Sequence, residues 1–229
     1  MITRCALFLS AAIALGAAPS VSAQVYLGRE TPHRGTIELG GGGTWAPGFD
    51  LATADAELTR ATDNDRFDLF STEGRASGFP GAHARVGVYL SRAISVEGGI
   101  RYAKPRLSYD LTDDAESAED ETAEETLSHY VFDGSVLFHF PNAAFADGRG
   151  VPFFSAGAGY LRELHEGNEL VETGSELHAT AGVKYWFGNG DRRMGLRAEF
   201  GISSRQGGFD DDDERRTVPI ALGGVTFLF

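Results

Sequence analysis

Cysteine is almost absent from the sequence: the only one in 229 residues is Cys5. It precedes an apolar stretch, whereas a lipoprotein signal would place a cysteine directly after one, so lipid attachment is not indicated. Removal of the N-terminus would leave a chain with no disulfide framework. Positive charge is also scarce, since 20 Lys and Arg stand against 33 Asp and Glu, for a formal net charge of −13. Phosphate backbones are bound by clustered Lys and Arg, which argues against nucleic acid as a partner.

Long apolar runs are missing as well. No stretch approaches the ~18 uninterrupted apolar residues that a transmembrane helix needs, so the sequence predicts no such helix. A chain that spans a bilayer without helices must do so as a closed β-barrel, because only a closed barrel also pairs every backbone polar group. The 30 glycines, 16 phenylalanines and 7 tyrosines favour β structure over helix.

The N-terminus has the three parts of a secretory signal. Arg4 supplies the positive charge, residues 6–18 form a short apolar core, and Val21-Ser22-Ala23 is a small-residue cleavage site. We therefore expect a cleavable helical signal peptide over residues 1–23, a periplasmic segment over 24–34 and a barrel domain over 35–229.

Alternation of apolar and polar residues with a period of two recurs along the rest of the chain. It predicts eight strands, each near the ~10 residues that cross a bilayer at a tilt, at residues 35–45, 82–90, 94–102, 129–140, 154–160, 176–187, 193–202 and 221–229. The apolar faces end in aromatic residues, as a girdle at two membrane interfaces would: Trp45, Tyr102, Tyr130, Phe140, Tyr160, Phe187 and Phe229. The predicted fold is an all-β, eight-stranded antiparallel up-and-down transmembrane barrel.

The eighth strand fits the pattern least well. Its second face carries Val218, Ile220 and Leu222, which are apolar where a polar face is expected. A β-bulge at Gly223-Gly224 would reset which side chains face inward.

The connections between strands also differ in length and charge. Those at 46–78, 110–125, 165–174 and 205–216 are mostly longer than those at 91–92, 141–150 and 188–192, the pattern of long external loops and short periplasmic turns. The four long connections hold seven, nine, three and five acidic residues, 24 of the 33 in the chain. One surface of the barrel is therefore predicted to be strongly acidic. Within the first long connection, residues 52–60 suggest a short helix.

Three segments carry a resemblance to a known family. They are the strand Pro152-Phe153-Phe154-Ser155-Ala156-Gly157-Ala158-Gly159-Tyr160, the strand Gly182-Val183-Lys184-Tyr185-Trp186-Phe187, and the ending Gly224-Val225-Thr226-Phe227-Leu228-Phe229. With the signal peptide and the strand order, they resemble the OmpA/OmpX-type outer-membrane barrels of Gram-negative bacteria. The resemblance implies location in the outer membrane and a signal for the barrel-assembly machinery at Val225, Phe227 and Phe229. It does not extend to a peptidoglycan-binding domain, which we do not expect.

Inward-facing charges are the first candidates for a functional role. Four bases and four acids are predicted to face the lumen and to form an ion-pair network: Arg85, Arg101, Lys184 and Arg197 with Glu38, Glu97, Asp133 and Glu199. Buried charges must be paired or solvated, and eight strands enclose a space that side chains can fill. A plugged lumen is the preferred interpretation, a narrow channel for small solutes is the alternative, and an open porin is disfavoured.

Enzymatic activity is a third, weaker hypothesis. His129, Asp133 and His139 share one face of the fourth strand, with Ser128 and Ser135 nearby, and some small outer-membrane barrels modify lipid A. Ser128 points away from His129 by alternation, and the sequence has no motif of the lipid A deacylase or palmitoyltransferase type. We therefore predict no enzyme and no cofactor. A soluble lipocalin-like barrel is disfavoured by the outward aromatic residues and the asymmetric connections.

The acidic runs allow one further hypothesis. Hard cations such as Ca²⁺ bind clustered carboxylates, but neither run has the spacing of an EF-hand loop. Solvated surface loops are the simpler interpretation, with weak divalent binding that bridges loops to lipid phosphates as the alternative, at Asp113, Asp114, Asp120, Asp210, Asp211, Asp212 and Asp213. The expected partners are outer-membrane lipid, lipopolysaccharide and, during biogenesis, the barrel-assembly machinery, while any host or surface ligand is left open.

Overall fold

The computed structural model describes residues 32–51, 54–59, 66–112, 121–165, 170–187, 193–208 and 215–229, so the predicted signal peptide lies outside it. In these ranges it has a short 3-10 helix, Pro141–Ala143, and thirteen strands. The strands are β1 Ile37–Trp45, β2 Phe49–Asp50, β3 Ala54–Thr59, β4 Arg66–Ala76, β5 Gly81–Tyr89, β6 Ile94–Ala103, β7 Arg106–Thr112, β8 Glu121–Thr126, β9 Ser128–His139, β10 Gly150–Leu164, β11 Val171–Phe187, β12 Arg193–Gly207 and β13 Arg216–Leu228. None of the described helices is long and apolar enough to cross a membrane.

Eight of these strands form a closed antiparallel barrel, in the order β1, β13, β12, β11, β10, β9, β6, β5. β1 closes the ring because it pairs with β13 on one side, at Glu38 and Leu228, and with β5 on the other, at Ile37 and Val88. Closure leaves no barrel strand with an unpaired edge. The predicted all-β, eight-stranded antiparallel barrel is confirmed.

Side chains alternate between the interior and the outer surface along each barrel strand. On β1, Ile37 and Leu39 are each 43% exposed, while Glu38 between them is 4% exposed. Phe140 and Phe229 are among the exposed aromatic residues. Apolar residues therefore cover the outside of the barrel, and polar residues fill much of the inside, the reverse of a water-soluble protein.

The eighth barrel strand, β13, needs no bulge. Its pairing with β1 runs without interruption through Gly223 and Gly224, and its pairing with β12 is equally regular. Val218, Ile220 and Leu222 all point inward and are buried. The hypothesis of a bulge was wrong, because one end of the interior is itself apolar and these residues belong there.

The first two long connections, 46–78 and 110–125, contribute to a second sheet, which the sequence did not predict. β2, β3 and β4 lie in the first of them, β7 and β8 lie in or next to the second, and β4 pairs with β7. The helix suggested for residues 52–60 is wrong, because Ala54–Thr59 is a strand paired with β4. An isolated helix of this length is marginal in water, whereas pairing with β4 satisfies the same backbone groups. We call the barrel end that carries this sheet the sheet end and the opposite end the turn end.

An apolar cluster occupies the interior at each end of the barrel. At the sheet end it comprises Ala46, Ala76, Phe79, Ala103, Leu107, Leu127, Val218, Ile220 and Leu222. At the turn end Tyr89, Trp186 and Leu228 are buried together, with Val151 packed against them. The charged interior described below lies between these two clusters.

Candidate functional site

A chain of ion pairs fills the interior next to the turn-end cluster. Lys184 is 0% exposed, and its Nζ lies 2.7 Å from Oε2 of Glu38 and 3.6 Å from Oε1 of Glu97. Glu38 also accepts hydrogen bonds from the hydroxyls of Tyr89, at 2.9 Å, and Thr226, at 2.6 Å. Both oxygens of this buried carboxylate therefore have partners, as a buried charge requires.

The same chain continues across the lumen through Arg197. Its Nη1 donates to Oε1 of Glu97 at 2.6 Å, and its Nε donates to Oε1 of Glu199 at 3.0 Å. Arg85 lies on the far side of Glu199, with Nη1 2.7 Å from Oε1. The guanidinium of Arg197 also lies 4.8 Å from the ring centre of Phe153. Alternating charges thus run from β1 through β11, β6 and β12 to β5.

A second group of ion pairs lies nearer the sheet end. Arg101 donates from Nε to Oδ2 of Asp133 at 3.2 Å and also pairs with Glu176. Glu176 is completely buried and pairs in addition with Arg205, at 3.3 Å from Nε to Oε2. His178 lies beside it, with Nδ1 3.5 Å from Oε1. The structure thus distributes the eight predicted lumen residues over two groups of ion pairs.

Four residues that form ion pairs in the lumen were not predicted to do so from the sequence: His129, Glu163, Glu176 and Arg205. His129 Nδ1 and Glu163 Oε1 are 2.6 Å apart, and both side chains are buried. A signal was present, because extending the alternation of β10 past Tyr160 turns Glu163 inward, and extending that of β12 past Ile202 turns Arg205 inward. The predicted strands stopped too early to include either residue.

The residues considered for catalysis do not meet in one site. Asp133 pairs with Arg101, and His129 pairs with Glu163. His139 Nε2 lies 2.9 Å from the hydroxyl of Ser95. Each candidate therefore has a different partner, and in most cases a charged one.

Ser135 does approach a histidine, since its Oγ lies 2.8 Å from Nε2 of His178, and Glu176 follows on the other side of the ring. The order resembles a hydrolase triad, but Glu176 is already held by two arginines. The cavity beside His178 measures about 10 Å³, room for about one water molecule. An acyl substrate does not fit in a space of that size.

A histidine connects the second sheet to the barrel outside the lumen. His165 follows β10, and its Nδ1 lies 2.8 Å from Glu125 of β8, while its Nε2 lies 3.4 Å from Glu172 of β11. Partial burial lowers the pKa of His165, but the hydrogen bonds and charges of the two glutamates outweigh it and raise the pKa above its ordinary value. Burial and the same two carboxylates raise the pKa of Tyr109 on β7.

The remaining predicted residues lie outside the lumen or outside the described chain. Val225, Phe227 and Phe229 face outward at the turn end. The seven aspartates proposed to bind divalent cations fall at 113–114, 120 and 210–213, outside the described residues. Within the described ranges, no group of three or more His, Cys, Asp or Glu side chains is arranged to hold a metal ion.

Comparisons with known proteins agree with this architecture. No protein-family model matches the chain, and no curated protein matches it. Among solved structures, it is similar to the outer membrane protein OprG from Pseudomonas aeruginosa, with a TM-score of 0.52 and 10% sequence identity over 87% of this chain and 98% of that one. The chain therefore shares the barrel fold of an outer membrane protein.

Proposed function

We propose that the protein is an integral outer-membrane β-barrel with a closed lumen, and that its role is structural or lies in surface interactions through its acidic outer face. The observation that supports membrane insertion is a burial pattern opposite to that of a water-soluble protein. The charged Glu38 and Lys184 are enclosed, while the apolar Ile37 and Phe227 lie on the outside. Such an outer surface suits hydrocarbon and not water. In this arrangement the turn end faces the periplasm and the sheet end faces the exterior.

The side chains that fill the barrel interior support the proposal of a closed lumen. Two groups of ion pairs lie between an apolar cluster at either end. The cavity beside Glu38, Arg85 and Arg197 measures about 10 Å³, enough for about one water molecule. Passage of a hydrated ion would require breaking several buried ion pairs and displacing the apolar cluster at the sheet end.

The finer assignments belong to the same proposal. We assign the chain to the OmpA/OmpX type, with residues 1–23 as a cleaved signal and Val225, Phe227 and Phe229 as the signal for the barrel-assembly machinery. Membrane lipid and lipopolysaccharide are its neighbours, and the acidic residues of the long connections face the exterior. No catalytic role is assigned, because Ser95–His139, Ser135–His178 and His129–Glu163 are separate contacts in a filled lumen, and the cavity beside His178 holds about one water molecule.

A narrow channel is the second candidate. It is favoured by the small polar cavities inside the barrel, which are lined by charged groups such as Arg85, Glu97 and Asp133. The two candidates differ in conductance, because only a channel opens a continuous path through the lumen.

Cell fractionation and bilayer recording test the proposal. The full chain, produced in a Gram-negative host, is expected in the outer-membrane fraction, with different gel mobility before and after boiling. Purified protein in a planar bilayer is expected to show no discrete openings. Leu222→Ala, which opens the apolar cluster at the sheet end, and Val225→Ala, its outward-facing control on the same strand, are expected to be equally silent.

Two results would contradict parts of the proposal. Recovery of the processed chain as a soluble periplasmic protein would exclude membrane insertion. Discrete openings that increase in Leu222→Ala but not in Val225→Ala would show conduction through the lumen and establish the channel.

A further inference from the structure

A row of aromatic residues crosses three adjacent strands on the outer surface near the sheet end. Tyr102 of β6 is paired in register with Tyr130 of β9, and their ring centres are 4.8 Å apart. Arg162 of β10 lies directly opposite Tyr130. Tyr160, two residues before Arg162 on the same face, is exposed.

Two basic residues adjoin this row: Lys104 lies on its sheet-end side, and Arg162 lies opposite Tyr130 and on the sheet-end side of Tyr160. Lys104 lies two residues beyond Tyr102, and both Lys104 and Arg162 are exposed. If the register of β6, β9 and β10 is extended past Tyr102, then Lys104 and Arg162 are separated by two strand spacings across the sheet and by two residues along it. This corresponds to about 12 Å between their Cα atoms. Their long side chains can therefore reach one group lying between them. We call Tyr102, Lys104, Tyr130, Tyr160 and Arg162 the tyrosine–base patch.

The two bases have no acidic partner among the described residues. Two other exposed bases near the sheet end do pair with acids, Arg75 with Asp50 at 2.8 Å and Arg106 with Glu124 at 3.5 Å. In a chain with 33 acidic residues, two neighbouring bases that face outward without a carboxylate indicate an anionic partner outside the chain.

The level of the patch identifies that partner. Tyrosines that face outward from membrane proteins lie at the boundary between hydrocarbon and headgroups, and bases just beyond them lie at the level of the headgroups. Phosphate is the anion at that level, and Arg and Lys bind it through charge-assisted hydrogen bonds. We propose that the tyrosine–base patch binds the phosphate groups of an outer-leaflet glycolipid. The inference rests on the proposed outer-membrane location.

Lipid binding to the purified barrel tests the proposal. Protein extracted from membranes is titrated in detergent with diphosphorylated lipid A and, separately, with the same lipid after enzymatic removal of phosphate, and complexes are quantified by native mass spectrometry. A base near an anionic lipid surface contributes a factor of about five in affinity. Lys104→Ala and Arg162→Ala are each expected to weaken binding about fivefold, and the double variant about 25-fold.

The matched control is Arg215→Ala. Arg215 is an exposed base next to β13 at the sheet end, and β13 lies four strands away from β9 around the barrel. Its loss removes the same charge at a distance from the patch, and it is expected to change affinity by less than about twofold. The dephosphorylated lipid is expected to bind wild type no better than the double variant binds diphosphorylated lipid A.

Three results would overturn the proposal: wild-type affinity in the double variant, an equal loss in Arg215→Ala, or equal binding of the dephosphorylated lipid. In each of these cases the protein would still fractionate with the outer membrane and shift mobility on boiling, so the proposed function would stand. A chain that fails fractionation would instead refute the proposed location and the patch together.

Discussion

Replacement of Lys184 by methionine probes the buried ion pairs most directly. Methionine is close to lysine in length but carries no charge, so the change leaves Glu38 and Glu97 without the ammonium that lies 2.7 and 3.6 Å from their oxygens. Lys184 is fully enclosed, and water cannot take over its role without opening the barrel. Breaking one partner of a buried ion pair typically costs about 3–5 kcal/mol of unfolding free energy, and we expect Lys184→Met to fall in that range.

The assay is urea unfolding of the refolded barrel in lipid vesicles, followed by tryptophan fluorescence and by mobility of unboiled samples in gels. The double variant Lys184→Met, Glu38→Gln removes both charges. The glutamine oxygen still accepts from the hydroxyl of Tyr89 or Thr226, and the amide nitrogen can donate to the other hydroxyl. We expect it to regain at least about 1–2 kcal/mol relative to the sum of the single variants, since groups in one network couple by about that much.

Arg75→Met serves as the surface comparison. Arg75 pairs with Asp50 at 2.8 Å, nearly the same distance, but the two side chains are 74% and 76% exposed. Exposed pairs contribute little, so its unfolding midpoint should match that of wild type. The reasoning is refuted if Lys184→Met unfolds like wild type, or if the losses of the two lumen substitutions simply add.

Three further predictions concern the barrel wall, the second sheet and biogenesis. Gly42→Ala should destabilise the barrel by about 1–3 kcal/mol, because its Cβ would overlap the carbonyl of Gly223, whereas Gly43→Ala, whose nearest neighbour is 3.8 Å away, should not; urea unfolding distinguishes them. The pKa of His165 is raised by its two glutamates, so the attachment of β8 should be strongest below its ordinary pKa of 6.5 and weaken as the pH rises through the raised pKa. Amide exchange of β8 measures this, and His165→Gln should abolish the pH dependence. Phe229→Ala should lower the outer-membrane yield in cells, measured by immunoblot, while the refolded variant unfolds at the wild-type urea concentration; equal yields would exclude Phe229 from the assembly signal.

The barrel strands were predictable because their signal is local. A strand with one face toward lipid and one toward a polar interior alternates every second residue, and Ile37, Glu38 and Leu39 follow this alternation both in sequence and in burial. Eight such segments with alternating connection lengths leave few arrangements other than a closed antiparallel ring. The same rule explains why Val218 and Ile220 did not fit the expected polar face of their strand. They follow the alternation, but the part of the interior that they face, at the sheet end, is apolar.

The second sheet was not predictable on the same basis. Its strands are not part of the closed barrel, so they need no lipid-facing pattern, and β4 must pair with β7 across the whole of β5 and β6. Strand pairing of this kind depends on contacts distant in sequence and on packing against Phe79 and Leu107. The acidic composition of these connections also favoured an interpretation as solvated loops, although charged side chains on an exposed sheet face need not prevent strand formation.

The sequence predicted which charges face the lumen more readily than which charges pair. Facing depends on alternation within one strand, whereas pairing depends on the stagger between strands far apart in the chain: Lys184 and Glu38 are separated by 146 residues. Because the barrel wall tolerates any apolar residue on its outside, a barrel fold can persist at 10% identity. Similarity of fold therefore cannot transfer a function to this chain. The proposals rest instead on this chain's own residues: the ion pairs around Lys184 and Glu176 support a closed lumen, and the outward-facing bases Lys104 and Arg162 support lipid binding.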